Sequence, residues 1–375
     1  MFRCANRWWI LLGAVIPLAS AGAATFPLEL RTNGASASFR LAMDGLEIHF
    51  QKEPEYAGRG VVRSALRVGP DPQDYLGFAC DLEAKKLYLD LNRNLDLTDD
   101  PDGVHASRGE HWGSSFEDVV VPIEQAGRRR EIRMDVTIYG ADYGRYAVKS
   151  SWEGAVEIGG RTFHVAVVDD GNGVIDAADE LRLEARKPRA KKPDPAAEVE
   201  LQAPATLVLD GEPFGMAYGL SADGKTLALE IAPKPAMLAE VELAGEGIER
   251  VVLQDQDVAA VFLAPDKVLR LPAGRYRGGV RVRTGQGKDA LLWQAWGVSR
   301  RVADGARETW RVGGPIVSKL TCRNAGNQLV FDHALAGAGG EKYATVGLVR
   351  ESLGPPKLRV RKDGQTVHVG NFEYG

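Results

Sequence analysis

After its first two dozen positions this chain carries almost no helical periodicity; short runs of alternating apolar and polar residues recur instead, closed by Gly, Asp-Gly or Asn-containing turns. Successive side chains on a strand point to opposite faces, so a period of two is the signature of half-buried β structure. Hairpins can be written down directly. Segments 155–158 and 161–168 flank Gly159-Gly160, a two-residue turn that tolerates positive φ at both positions. Segments 218–220 and 226–231 flank Asp223-Gly224, and 357–361 and 366–369 flank Asp363-Gly364. Segment 318–323 pairs with 328–333 across Asn324 to Asn327. The expected fold class is all-β: two β-sandwich or barrel-like domains built from antiparallel hairpins, preceded by a cleaved N-terminal signal helix.

That signal is read from Arg3 and Arg7, the uncharged apolar run from Trp8 to Ala19, and the small residues Ser20 to Ala24. The run falls short of the roughly 20 residues a membrane span requires, and no cysteine follows it to accept a lipid. Residues 1–24 are therefore expected to be a signal peptide, with cleavage after Ala21, Ala23 or Ala24, and the protein to be exported to the periplasm or the extracellular space. Loss of Arg3 and Arg7 moves the formal charge from -4 to -6. A mildly acidic chain is poorly suited to nucleic acid. Cys80 and Cys322 remain as the only thiols. Two buried free cysteines are the favoured reading and an inter-domain disulfide is the alternative; neither has a CxxC neighbour.

Residues 186–195 (RKPRAKKPDP) break the strand pattern with basic residues and prolines. Proline removes ladder donors and cannot sit inside a sheet. Residues 186–200 read as a solvated linker, in preference to a basic docking site. This separates an N-terminal β domain, 25–185, from a C-terminal β-sandwich region, 201–375. In the latter, Leu271-Pro272-Ala273-Gly274-Arg275-Tyr276 resembles a hairpin turn of small secreted β-sandwich modules of the carboxypeptidase-regulatory or prealbumin-like kind.

The strongest chemical signal is the segment 90–100, DLNRNLDLTDD, with oxygen-bearing side chains at every second position. A hard cation takes six to eight oxygens at about 2.3–2.6 Å, and alternate spacing in a curled loop turns such oxygens inward. Asp90, Asn92, Asn94, Asp96, Asp99 and Asp100 are the candidate ligands. A second acidic loop, 169–180 (DDGNGVIDAADE), contributes Asp169, Asp170, Asn172, Asp176 and Asp179. Both loops resemble the EF-hand and dockerin type of calcium loop. Asp90, Asn92 and Asn94 match loop positions one, three and five, while Leu95 stands at six, where the family has Gly, and Pro101 at twelve, where it has an acid. In the second loop Asp170, Asn172, Asp176 and Asp179 match positions three, five, nine and twelve, with Gly173 at six. Position one is Val168, so Asp169 must replace the usual first ligand. The resemblance implies Ca2+ as the bound ion. Each loop follows an alternating run, so the unit reads as a duplicated strand and loop, with the denser oxygen cluster expected in the first.

Other groupings carry less. His105, Glu110 and His111, with Trp112 nearby, and the acids Glu110, Glu117 and Asp118 form the alternative reading, a secreted and glycan-directed hydrolase. Arg275, Arg277, Arg281 and Arg283 alternate along one strand, a face that fits an acidic glycan or a phosphorylated partner, or is answered by acids on the neighbouring strand. Trp293, Trp296 and Trp310 suggest a sugar-stacking platform. Residues three apart in a strand point to opposite faces, which favours core packing. The leading expectation is a calcium-binding structural or binding protein with a glycan or protein ligand.

Overall fold

The computed structural model describes residues 22–41, 48–69, 74–107, 113–125, 128–140, 143–185, 198–285, 290–326, 328–345 and 357–372. The leader up to residue 21 and the linker run 186–197 lie outside the described residues, as do Glu110, His111 and Trp112. Every described element is a strand except one 3-10 turn, Pro101–Gly103, so the all-β expectation holds. No described helix is long and apolar enough to cross a membrane.

All four predicted hairpins form. Gly159 and Gly160 both take positive φ, 57° and 73°, between Ser151–Ile158 and Arg161–Val168. The pairs Glu212–Leu220 with Thr226–Pro233, Val317–Ala325 with Gln328–Ala336, and Lys357–Lys362 with Gln365–Asn371 are likewise antiparallel.

Local pairing does not convey how the strands assemble. Ala24–Arg31 lies between Ser151–Ile158 and Thr226–Pro233, antiparallel to both. Residues 198–200, expected in the linker, instead belong to the strand Glu198–Gln202, which pairs with Glu180–Ala185, and strands from before and after residues 186–197 thereby join one sheet of fifteen. A parallel pair, Thr206–Leu209 with Val258–Leu263, carries that sheet onward. One apolar cluster also spans the segment: Leu28, Trp152, Phe163 and Leu183 pack with Leu207, Leu229 and Val261.

Two further clusters each draw on more than one sheet. Phe116, Val121, Met134 and Val136 come from a four-stranded sheet of Ala37–Leu41, Gly144–Val148, Arg128–Ile138 and Ser114–Gln125. They meet Leu76, Phe78 and Leu87 from a second four-stranded sheet of Val61–Arg67, Tyr75–Asp81, Lys86–Leu89 and Val104–Ala106. In the third cluster Val241, Leu271 and Trp310, from the three-stranded sheet, meet Val251, Tyr276 and Val280 of the large one. Each fully buried large aliphatic or aromatic side chain contributes roughly 1.5–3 kcal/mol relative to exposure.

The segment 271–276 is not a hairpin. Val268–Leu271 pairs with Ala239–Leu243 in the small sheet, whereas Gly274–Thr284 belongs to the large one. Pro272 lacks the donor a continuing ladder needs, and the buried Tyr276 returns its hydroxyl to the Pro272 carbonyl at 3.0 Å. The turn passes the chain from one sheet to another.

Candidate metal centre

Both acidic loops close antiparallel hairpins. Loop 90–100 with its 3-10 turn joins Lys86–Leu89 to Val104–Ala106, and loop 169–179 joins Arg161–Val168 to Glu180–Ala185, whose end residues Val168 and Glu180 are direct partners. The duplication read from the sequence is thus strand, acidic loop and returning strand.

The backbones of the two loops also correspond. Counting Asp90 and Val168 as position one, position four has positive φ in both, at Arg93 (61°) and Gly171 (98°). Position six does too, at Leu95 (65°) and Gly173 (77°). Leucine therefore adopts the conformation for which glycine is the low-strain choice, at a cost of about 1–2 kcal/mol. Side-chain oxygens hold each curl. The position-three oxygen accepts the position-five N–H, Asn94 to Asn92 at 3.0 Å and Asn172 to Asp170 at 3.0 Å. The position-five oxygen accepts the position-seven N–H, Asp96 to Asn94 and Val174 to Asn172, both at 2.7 Å.

The departure at position one is resolved by Asp169. Asp90 accepts the position-six N–H of Leu95 at 3.0 Å, and Asp169 Oδ1 accepts that of Gly173 at 3.2 Å together with Gly171 N–H at 2.7 Å. Asp179 closes the second loop: its two oxygens accept Asp170 N–H at 2.8 Å and Asp176 N–H at 2.6 Å.

Convergence separates the loops. Asp169, Asp170 and Asp179 bring carboxylate oxygens within 4.8 Å of one another, the one such group of three acids, His or Cys among the described residues. Asp169 and Asp179 are 5% and 1% exposed. Asn172 is also buried, with Nδ2 unpartnered and its oxygen on Val174 N–H. Asp176 is exposed and caps Ala178 N–H at 2.7 Å, outside the triad.

In the first loop the acids disperse, contrary to the expectation that it holds the denser cluster. Asp99 accepts the side-chain amides of Asn92 (3.1 Å) and Asn94 (2.7 Å), and Asp96 turns outward to Lys52 at 3.3 Å. Asp90 is buried and spent on the N–H groups of Asn94 and Leu95. Position twelve is Pro101, which removes the carboxylate that Asp179 supplies in the other loop. Asp100 stands one place earlier, buried, with Oδ2 unpartnered.

Electrostatics follow burial. Desolvation first, then the neighbouring Asp169 charge, holds the Asp179 carboxyl well above the usual range. Desolvation also raises Asp169 and Asp170, and the raising outweighs the opposing charges of Arg130 on Asp169 and Arg67 on Asp170. Asp100 is raised by desolvation and by the charges of Asp90 and Asp99. The three converging carboxylates on a curled backbone supply the kind of oxygen donor a hard divalent cation takes. Burial and the neighbouring charge favour the protonated form of Asp179 when no cation is bound.

Comparison with family models, with curated proteins and with solved structures gives no match. Three side chains around the site were not foreseen from the sequence. Tyr146, from Gly144–Val148, donates its hydroxyl to the Asp170 carbonyl at 2.7 Å. Arg130 lies over the Trp152 ring, 5.3 Å from its centroid, and donates to the Gly224 carbonyl at 2.9 Å. Trp152 donates its indole N–H to the same carbonyl at 3.0 Å. Tyr146 thus ties loop 169–179 to a strand of the four-stranded sheet, while Arg130, whose charge acts on Asp169, meets Trp152 at the Asp223-Gly224 turn. No periodicity or motif announces such long-range partners.

Asp118 sits on a β-bulge with φ 55°, which turns both it and Glu117 to solvent. Its carboxylate pairs with Lys149 at 3.0 Å. His105 is half-buried and its Nε2 has no partner. Cys80 is buried and Cys322 exposed, both free thiols, so they neither pair nor share the expected burial. Burial pushes the Cys80 thiol up to about 12.

Proposed function

We propose that this protein is an exported, calcium-stabilised β protein with a structural or binding role, and that loop 169–179 is its principal cation site. Residues 1–24 act as the export leader, the sheets stack as sandwich-like or barrel-like layers, and the mature chain meets a glycan or protein ligand. The observation that carries the reading is the convergence of Asp169, Asp170 and Asp179 within 4.8 Å, two of them buried, on a loop whose backbone shape the chain repeats at 90–100.

Like charges held this close are costly without a cation, and a cation removes the cost only in the folded state, where the three side chains meet. Asp169, Asp170 and Asp179 serve as ligands, Asn172 adds an amide oxygen, and Tyr146 anchors the loop from another strand. The first loop is the weaker site: Asp100 Oδ2 and Asp90 are its best-placed oxygens, while Asn92, Asn94, Asp96 and Asp99 are committed to one another or to Lys52. Calcium thereby fixes a hairpin loop between two sheets. Calorimetric titration of the mature chain with calcium tests this. Heat that saturates with about one ion per chain and disappears in Asp169→Asn supports it, and no heat up to millimolar calcium overturns it.

A further inference from the structure

Half of the arginine stripe is answered by the protein and half is not. Arg283 is ion-paired with Glu249, and the buried Arg281 donates to Gln294 Oε1 at 3.2 Å. Arg275 and Arg277, farther along the same strand, enter no ion pair among the described residues, nor does Arg301. All three are exposed.

Register places them together. Arg275 lies directly opposite Arg301 across Gly274–Thr284 and Leu291–Val302, and Arg277 opposite Ser299. The alternate residues Tyr276, Val298 and Val302 are buried in the core, so Arg275, Arg277, Ser299 and Arg301 share the outer face. Like charges directly opposite on a sheet destabilise it unless an anion lies between them. Asp255 and Asp304 line the same shallow depression of about 500 Å³. The oxygens of Asp255, however, accept backbone N–H groups from Gln256 and Arg275 at 3.0 and 2.8 Å, leaving Asp304 as the one rim acid without a described bond.

A bulge completes the surface. The register shift between Gly278 and Val280 sets Trp296 and Gly297, φ 70°, against a shortened partner strand. Trp293 packs on the core with its indole N–H on Thr284 Oγ1 at 2.7 Å, whereas Trp296 is turned out and 71% exposed. Gly279 leaves room beneath it: an added Cβ there would lie 3.3 Å from the Trp296 ring and 2.5 Å from Gln294 Nε2. An exposed indole on the same outer face as three guanidiniums that form no ion pair among the described residues offers a stacking plate and an anion grip.

We infer that this face binds an acidic glycan, with Arg275, Arg277 and Arg301 taking its anionic groups and Trp296 stacking on a sugar ring. Guanidinium forks suit carboxylate, sulfate and phosphate oxygens, and the indole suits the C–H face of a pyranose, which a plain polyanion lacks. The inference does not rest on the cation site, and its test is run with calcium and with chelator.

The test measures binding of the mature chain to dextran sulfate, with neutral dextran and inorganic polyphosphate as comparisons, at low and moderate salt. Dextran sulfate should bind, weakening as salt rises, and neutral dextran should not. Trp296→Ala should weaken binding about 5- to 10-fold, the scale of one aromatic contact, with Trp296→Phe restoring most of it. The double charge reversal Arg275→Glu with Arg301→Glu should weaken it more than about 10-fold. Unchanged melting curves would establish that these surface variants fold. Binding insensitive to Trp296, or as tight to polyphosphate as to dextran sulfate, overturns the glycan assignment. Binding untouched by the arginine reversals overturns the site itself.

Discussion

Asp169→Asn separates a cation site from a merely structural acid cluster, because the two predict opposite consequences. Asp169 Oδ1 alone accepts the N–H groups of Gly171 and Gly173, at 2.7 and 3.2 Å, and an asparagine oxygen keeps both. The substitution therefore removes one buried charge from the group formed with Asp170 and Asp179 while keeping these two hydrogen bonds. Without calcium the variant should melt at the same temperature as the parent or higher. With calcium the parent gains RT ln(1 + [L]/Kd), about 2.7 kcal/mol when calcium stands 100-fold above Kd. Unfolding entropy near 2.1 cal/mol/K per residue converts this to roughly 4 °C if about 350 residues melt together, or roughly 8 °C if only about 160 do. The variant should gain less than about 1 °C. Differential scanning calorimetry with chelator and with about 10 mM calcium, which is 100-fold above a weak extracellular-type Kd of about 10⁻⁴ M, makes the comparison. A variant that melts lower than the parent in chelator, yet keeps the full calcium-dependent rise, would refute the reasoning.

Four further outcomes follow from the same structure. Asp169, Asp170 and Asp179 are held above the usual carboxylate range, chiefly by burial, so the calcium-free folded state keeps protons that the unfolded chain has lost. Stability without calcium should then fall as pH rises from about 4 toward neutrality, and calcium should flatten that slope and bind more tightly at higher pH, as melting curves and titrations at several pH values would record. Asp90→Ala strips the acceptor from two backbone N–H groups and should cost about 2–4 kcal/mol in denaturant unfolding, with or without calcium. Trp152→Phe loses the buried indole bond to Gly224 and part of the Arg130 stacking, about 1–3 kcal/mol by the same assay. A thiol reagent should label Cys322 at once and Cys80 only on unfolding, and two slow thiols or none would contradict the described burial.

What the sequence made legible was local. Gly159-Gly160, Asp223-Gly224 and Asp363-Gly364 mark turns because their backbone conformations admit few other residues, and their flanking runs pair as expected. The oxygen spacing of both acidic loops was equally plain, and the Asp at position twelve of the second, against Pro101 in the first, is the difference that decides where carboxylates converge. Long-range choices were not legible. Nothing in the run from Ala24 to Arg31 says that it slots between strands more than a hundred residues away, since any alternating run offers the same edge. The 271–276 turn looked like a hairpin because turn chemistry is the same whether the chain returns to its own sheet or leaves it. Trp296 faces outward, opposite to Trp293 as their spacing requires, where the sequence favours core packing; what the sequence did not show is the bulge at Trp296 and Gly297 that returns Val298 to the core. The hold of Tyr146 on the acidic loop and the stacking of Arg130 on Trp152 are tertiary contacts that no local pattern records.

The most direct measurement is equilibrium dialysis of the leader-free protein against radioactive calcium at free concentrations up to about 1 mM, beside Asp169→Asn and Asp179→Asn variants. Bound calcium near one ion per chain in the parent, and close to none in either variant, is the predicted result. No retained calcium in the parent, or equal retention in all three proteins, would contradict a cation drawn in by the acids at the head of the 161–185 hairpin.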